Sequence, residues 1–166
     1  MPVRRAVYGI PFALWVAACA PPADRAAAAP AVDSTAVVAA AADLWQRWIA
    51  ADTAGNFAAL AEMVGDSIRV DVRGMPPMIG REAWRSASET MFKSMKVTSM
   101  TVIPDLTIPV SNELVYQTGT YAEGSTTGGK SAVDHGRYAL AIRKYPDGQW
   151  RFAYVMAFSD STVPAK

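Results

Sequence analysis

The chain has 166 residues, enough for one domain around a single core, and 51% hydrophobic with 19% charged residues is a globular composition rather than that of a disordered chain or coiled coil. Sixteen Lys and Arg stand against fifteen Asp and Glu, a formal charge of +1, and no basic cluster is long enough to follow a phosphate backbone, so nucleic acid is not an expected partner. One cysteine and one histidine make a zinc site improbable, and without a phosphate-binding glycine loop or nucleophile elbow no cofactor is expected.

Residues 1 to 18 have the layout of an export signal. Arg4 and Arg5 make a positive start, and Ala6 to Ala18 form a mostly apolar run of thirteen residues, too short to span a bilayer as a helix. The run ends in Val16-Ala17-Ala18-Cys19, which resembles the lipobox of bacterial lipoproteins. That resemblance implies cleavage before Cys19, acylation of the cysteine and a membrane anchor. At about 0.8 kcal/mol per buried methylene, two or three acyl chains hold a protein stably where one does not. The alternative is an ordinary secretory signal in which Cys19 is incidental. Ala20, where an Asp would signal retention, implies by the same resemblance the periplasmic side of the outer membrane. Residues 19 to 32 read as a Pro/Ala tether with too few large apolar groups to pack. The folded domain is therefore expected over residues 33 to 161, with 162 to 166 as a tail.

From Asp33 the pattern is helical. Ser34 can cap, and Val37, Val38, Ala41, Leu44, Trp45, Trp48 and Ile49 recur at helical spacing up to Asp52. Gly55 breaks this helix, Asn56 caps a short second one in which Phe57, Leu60, Ala61 and Val64 share a face, and Gly65 stops it. Next, Ile68, Val70 and Val72 alternate with Arg69, Asp71 and Arg73, which predicts a strand with one wet face carrying a charge ladder. The loop GMPPMIG, residues 74 to 80, leads into a third helix with Trp84, Ala87, Ser88, Met91 and Met95 as its buried stripe. Four antiparallel strands follow, over residues 97–108, 113–123, 130–145 and 150–159, reversed at SN, GSTTGG and PDG. Helices first and a meander last predict an α+β fold, with three N-terminal helices packed on a curved, mostly antiparallel sheet.

Several short motifs in this order resemble the SnoaL-like branch of the nuclear transport factor 2-like superfamily. They are the tryptophan-bearing first helix, Gly80-Arg81-Glu82, Gly119-Thr120-Tyr121, Asp134-His135-Gly136-Arg137-Tyr138, Asp147-Gly148-Gln149-Trp150 and Ser159-Asp160. The resemblance implies a cone in which the sheet wraps around the helices and leaves an apolar pocket, and it implies a homodimer formed through the sheet. Members include isomerases, cyclases and binding proteins, so the fold does not decide the function.

Consecutive side chains on a strand point to opposite faces, so Asp134 and His135 cannot share a pocket without a bulge. Parity puts Asp134 with Gly136, Tyr138, Leu140 and Ile142, and His135 with Arg137 and Arg143 on the wet face. Ketosteroid isomerase, which has the implied fold, uses an Asp base with a tyrosine among its oxyanion donors. By that analogy Asp134 is the candidate base, and Tyr116, Tyr121 or Tyr138 the donor. The competing reading makes Asp134 structural, accepting hydrogen bonds from backbone or a nearby Arg.

Many relatives end in a polar strand, whereas this chain has Val155-Met156-Ala157-Phe158. The expected pocket wall is Trp45, Trp48, Met75, Met78, Tyr116, Tyr121, Tyr138, Met156 and Phe158, apolar with few polar groups and suited to a small hydrophobic molecule. The alternative is that these residues fill a solid core. The sequence thus points first to a lipid-anchored domain binding a small apolar molecule or a protein partner, and second to an isomerase-like or cyclase-like enzyme. A structural domain that dimerises through its sheet is the third reading.

Overall fold

The computed structural model describes residues 31 to 165. The expected signal segment, the acylated Cys19 and nearly all of the tether lie outside the described residues. Within them the fold is α+β, with three helices and a six-stranded sheet.

Helix α1 (Ser34–Thr53) forms where the apolar stripe predicted it, burying Val37, Ala41, Leu44 and Ala51. Its cap is Asp33 rather than Ser34: the Asp33 carboxylate accepts from the Ala36 N–H at 3.0 Å. Helix α2 (Phe57–Glu62) is capped by Asn56, which accepts from the Ala59 N–H at 3.1 Å. Gly65, expected to end α2, lies instead within strand β1 (Val64–Val72), where it leaves room for the Tyr145 ring. Ile68 and Val70 of β1 point into the core, and Arg69 pairs with Asp71 at 2.8 Å on the wet face.

Part of the expected 74–80 loop is a short strand, β2 (Met78–Ile79), whose Met78 pairs with Val70 of β1. Two residues are too few to show an alternating pattern. Helix α3 (Arg81–Ser94) follows and buries Trp84 and Ser88. Met95, expected in that helix, opens strand β3 (Met95–Ser111).

Strands β4 (Leu114–Thr127), β5 (Lys130–Lys144) and β6 (Trp150–Pro164) complete the sheet in the order β2-β1-β6-β5-β4-β3. Every neighbouring pair is antiparallel except β1 and β6. The β4–β5 hairpin is tighter than GSTTGG implied, because Ser125, Thr126 and Thr127 remain paired and only Gly128 and Gly129 turn. Both have positive φ, 56° and 78°, the two-residue geometry that glycine adopts without Cβ strain. Strand β6 continues past its expected end at 159, and past the expected domain end at 161, to Pro164, which pairs with Ala132. The tail is therefore largely sheet.

The motifs that carried the resemblance interlock. In the β4–β5 ladder Gly119 faces Tyr138 and Tyr121 faces Gly136. Each glycine gives the opposite tyrosine ring the space a Cβ would occupy, and each also lies close under a carbonyl of the next strand, Ile103 or Phe158. This reciprocal packing brings both rings onto the concave face. There Leu44, Leu60, Ile68, Leu140, Ile142 and Phe152 form the innermost core.

Candidate functional site

The cone is hollow, with a cavity of about 470 Å³ between the helices and the concave face of the sheet. Helix α1 contributes Trp45, Trp48 and Asp52, and α3 contributes Trp84, Ser88, Met91 and Phe92. The strands add aliphatic side chains from β1, Met95, Val97 and Met100 from β3, Tyr121, Glu123 and Ser125 from β4, Asp134 and Tyr138 from β5, and Val155 and Ala157 from β6. The volume lies in the range of small-molecule sites, and the mixture of apolar walls with a few polar groups is their usual chemistry.

The direction of α1 decides which residues meet. At its start the Asp33 N–H donates to Asn112 in the β3–β4 turn at 2.7 Å, and midway the Trp45 Nε1–H donates to Gln117 of β4 at 2.7 Å. The helix therefore runs alongside β4 in the same sense and delivers Asp52, near its end, toward Glu123, near the end of β4. Gln117 is only 3% exposed. Its Oε1 also accepts from the Tyr138 hydroxyl at 3.1 Å, and its Nε2 donates to the Thr107 hydroxyl at 3.0 Å. The buried amide thus satisfies both aromatic donors. Tyr138 has its proton committed to Gln117, and burial, followed by the Asp105 charge, raises its pKa.

Asp134 faces the cavity, as strand parity predicts, while His135 is exposed on the other face. Most of the aspartate's acceptor capacity is already taken up. Its Oδ2 accepts from the Tyr121 hydroxyl at 2.8 Å, and its Oδ1 accepts from the hydroxyls of Ser159 and, at 2.9 Å, Thr162. The expected Arg partner is absent because Arg137 points outward and pairs with Asp160 at 2.8 Å. Burial, and then the adjacent Asp134 carboxylate, raise the Tyr121 pKa. An occupied acceptor and a reluctant phenol form a structural clasp between β4, β5 and β6.

Two further carboxyls open onto the cavity, and the sequence reading passed over both. Asp52 is 5% exposed, and burial pushes its carboxyl up to about 6. Burial pushes the Glu123 carboxyl up to about 7, helped by the negative charges of Asp52 and Asp134. Both have legible positions. Asp52 lies four residues after Trp48 on the same helix face, and Glu123 lies two residues after Tyr121 on the same strand face. Treating Asp52 as the end of the helix, and leaving parity unapplied along β4, concealed them.

Of the residues expected in the pocket, Trp45, Trp48, Tyr121, Asp134 and Tyr138 line the cavity, and Tyr116, Met75, Met78, Met156 and Phe158 do not. Tyr116 sits in an outward row with Ile108, Ala141 and Tyr154, since its neighbour Gln117 points in. Met156 and Phe158 pair with Ala139 and Arg137 of the outward row of β5, leaving Val155 and Ala157 to face the cavity. Met75 is exposed in the turn after β1, and Met78 packs on the core from the edge strand β2. Among the described residues no three of His, Cys, Asp or Glu are grouped to hold a metal ion.

No protein-family model and no curated protein matches the sequence. Solved structures do match. A ketosteroid isomerase-like protein from Erwinia carotovora atroseptica aligns at 14% identity with a TM-score of 0.66, over 74% of this chain and 95% of the other. The hexachlorocyclohexane dehydrochlorinase LinA-type3 from Novosphingobium barchaimii aligns at 18% identity with a TM-score of 0.62, over 79% and 91%. An NTF-2 like protein of unknown function from Shewanella oneidensis aligns at 12% identity with a TM-score of 0.61, over 74% and 98%. At these identities the likeness is one of fold, and the domain has the ketosteroid isomerase-like, nuclear transport factor 2-like cone fold.

Proposed function

We propose that the domain holds a small, mostly apolar molecule inside its cone, and that the chain is exported and lipid-anchored through Cys19 at the periplasmic side of the outer membrane. The observation that carries the binding reading is the cavity of about 470 Å³, walled by Trp45, Trp48 and Trp84 and left unfilled by the protein's own side chains. A void of this size lined by apolar groups costs packing energy that an occupant restores. The LinA-type3 neighbour is named for its action on hexachlorocyclohexane, a small apolar molecule. Native mass spectrometry of the protein purified from its own host tests the reading: a retained small molecule is expected, and a chain that carries none and gains no thermal stability from any apolar compound ends it.

A second reading, acid–base catalysis, is favoured by one observation: Asp52 and Glu123 have carboxyls raised to about 6 and about 7 inside the same cavity. Groups titrating near neutrality suit proton transfer. The pair replaces Asp134 as the candidate base, because Asp134 already accepts three hydroxyl donors. Deuterium exchange into an enolisable ketone, followed by proton NMR, tests this. Exchange lost in both Asp52→Asn and Glu123→Gln supports catalysis, and exchange no faster than in buffer rejects it.

The outer face of the sheet supports a homodimer. Ile103, Leu106, Ile108, Tyr116 and Phe158 are all exposed there, an apolar surface that a second copy of the chain would cover.

A further inference from the structure

The cavity wall carries acid and no base. Asp52, Glu123 and Asp134 open onto it, and among the described residues no Lys, Arg or His lines it. Asp134 is satisfied by its three hydroxyl donors. Asp52 and Glu123 differ: among the described residues neither side chain takes part in a hydrogen bond or an ion pair, and burial and neighbouring negative charge are what act on them. Asp52 as a residue is 5% exposed, and its unpartnered carboxyl opens onto the cavity.

Desolvation without a donor disfavours the charged form of the buried Asp52 and the half-buried Glu123, and the two negative charges repel. An occupant bearing positive charge removes both penalties at once. The aromatic residues support the same sign, because Trp45, Trp48, Trp84 and Tyr121 border the space and the faces of such rings attract cations. Resting on the ligand-binding reading above, we infer that the occupant is an apolar molecule carrying a protonated amine. Its hydrocarbon body lies against the tryptophans and the aliphatic residues of β1, and its ammonium group sits between Asp52 and Glu123.

The other titratable groups facing the cavity are Asp134 and the hydroxyls of Tyr121 and Tyr138, and α3, β1, β3 and β6 contribute none. Burial, with neighbouring negative charge at Glu123, pushes the Asp52 and Glu123 carboxyls up to about 6 and about 7. An ammonium ion favours their ionised forms, so its binding near neutrality releases protons to the buffer, which a neutral ligand does not. Affinity for the amine rises with pH through that range, since an alkylamine itself stays protonated to about pH 9.

Isothermal titration calorimetry of the full chain at about pH 6.5, in two buffers of different ionisation enthalpy, compares naphthylethylamine with naphthylethanol, which share one carbon skeleton. The amine is expected to bind at least about tenfold more tightly and to release protons. Asp52→Asn and Glu123→Gln are each expected to bring the amine's affinity toward that of the alcohol measured on the same variant, and to abolish the proton release. Should either variant fail to fold, the amine and alcohol on the unaltered chain decide the matter. Equal affinities without proton release overturn the amine inference and leave the apolar-cavity reading standing, whereas binding of neither compound overturns both.

Discussion

The Tyr121 hydroxyl donates to Asp134 across the β4–β5 ladder at 2.8 Å, and with Ser159 and Thr162 it occupies the carboxylate that looked most like a catalytic base. Hydrogen bonds to a charged acceptor contribute about 1.5–3 kcal/mol each when buried, and with Ser159 and Thr162 exposed to water Asp134→Ala is expected to destabilise the domain by about 2 kcal/mol. The loss is measured by urea denaturation. Tyr121→Phe removes one bond and is expected to cost about half as much. If Asp134→Ala leaves stability unchanged, the clasp has no structural role.

Stability should depend on pH with the sign opposite to that of paired carboxylates. The Asp52 carboxyl moves from 3.8 when unfolded to about 6 when folded, so its contribution is fully present below pH 3.8 and is lost as pH rises through about 6. Glu123 behaves in the same way between 4.5 and about 7. Each shift is on the order of 3 kcal/mol, an upper value because the two interact. Denaturation midpoints are expected to fall between about pH 4.5 and pH 7.5, and to fall less in Asp52→Asn. A flat profile in the unaltered protein would show that neither carboxyl is perturbed.

Gln117 supplies one oxygen to both Trp45 and Tyr138. Gln117→Leu leaves two buried donors unpaired and is expected to cost about 2–4 kcal/mol, whereas Tyr138→Phe removes a donor and its demand together and is expected to cost about 1 kcal/mol or less. Guanidinium denaturation of the two variants separates these values. A larger loss from Tyr138→Phe than from Gln117→Leu contradicts the shared-acceptor arrangement.

Alanine at Gly119 or Gly136 meets a tyrosine ring on one side and a backbone carbonyl on the other, so no side-chain rotation relieves the contact. Either change is expected to lower stability by about 1–3 kcal/mol or more and to tilt the opposing ring. The near-ultraviolet circular dichroism of the tyrosines should change with it.

Two predictions concern the surroundings of the domain. Sedimentation velocity is expected to show a dimer that Tyr116→Asp and Phe158→Asp convert to monomer without loss of fold, since both side chains are exposed. Cys19→Ser is expected to release the chain from membranes into the soluble fraction, and retention in the membrane would contradict lipid anchoring.

Much of this architecture can be read residue by residue. The three-and-four spacing from Val37 to Trp48 specifies α1, and the alternation of Ile68 and Val70 with Arg69 and Asp71 specifies β1 and its wet face, because those periods are the geometry of helix and strand. Parity alone separates Asp134 from His135, and applied along β4 and β6 it also turns Tyr116, Met156 and Phe158 outward. What parity cannot supply is distance between elements. Asp52 and Glu123 become neighbours only because α1, tied at Asn112 and Gln117, runs alongside β4, and their carboxyls are raised by burial and, at Glu123, by the Asp52 and Asp134 charges as well. Local pattern determined which elements form and which faces they bury. Burial and its electrostatics arise from neighbours distant in sequence, so only the tertiary structure decided that Asp134 is held by three hydroxyl donors while Asp52 and Glu123 face the cavity with raised carboxyls.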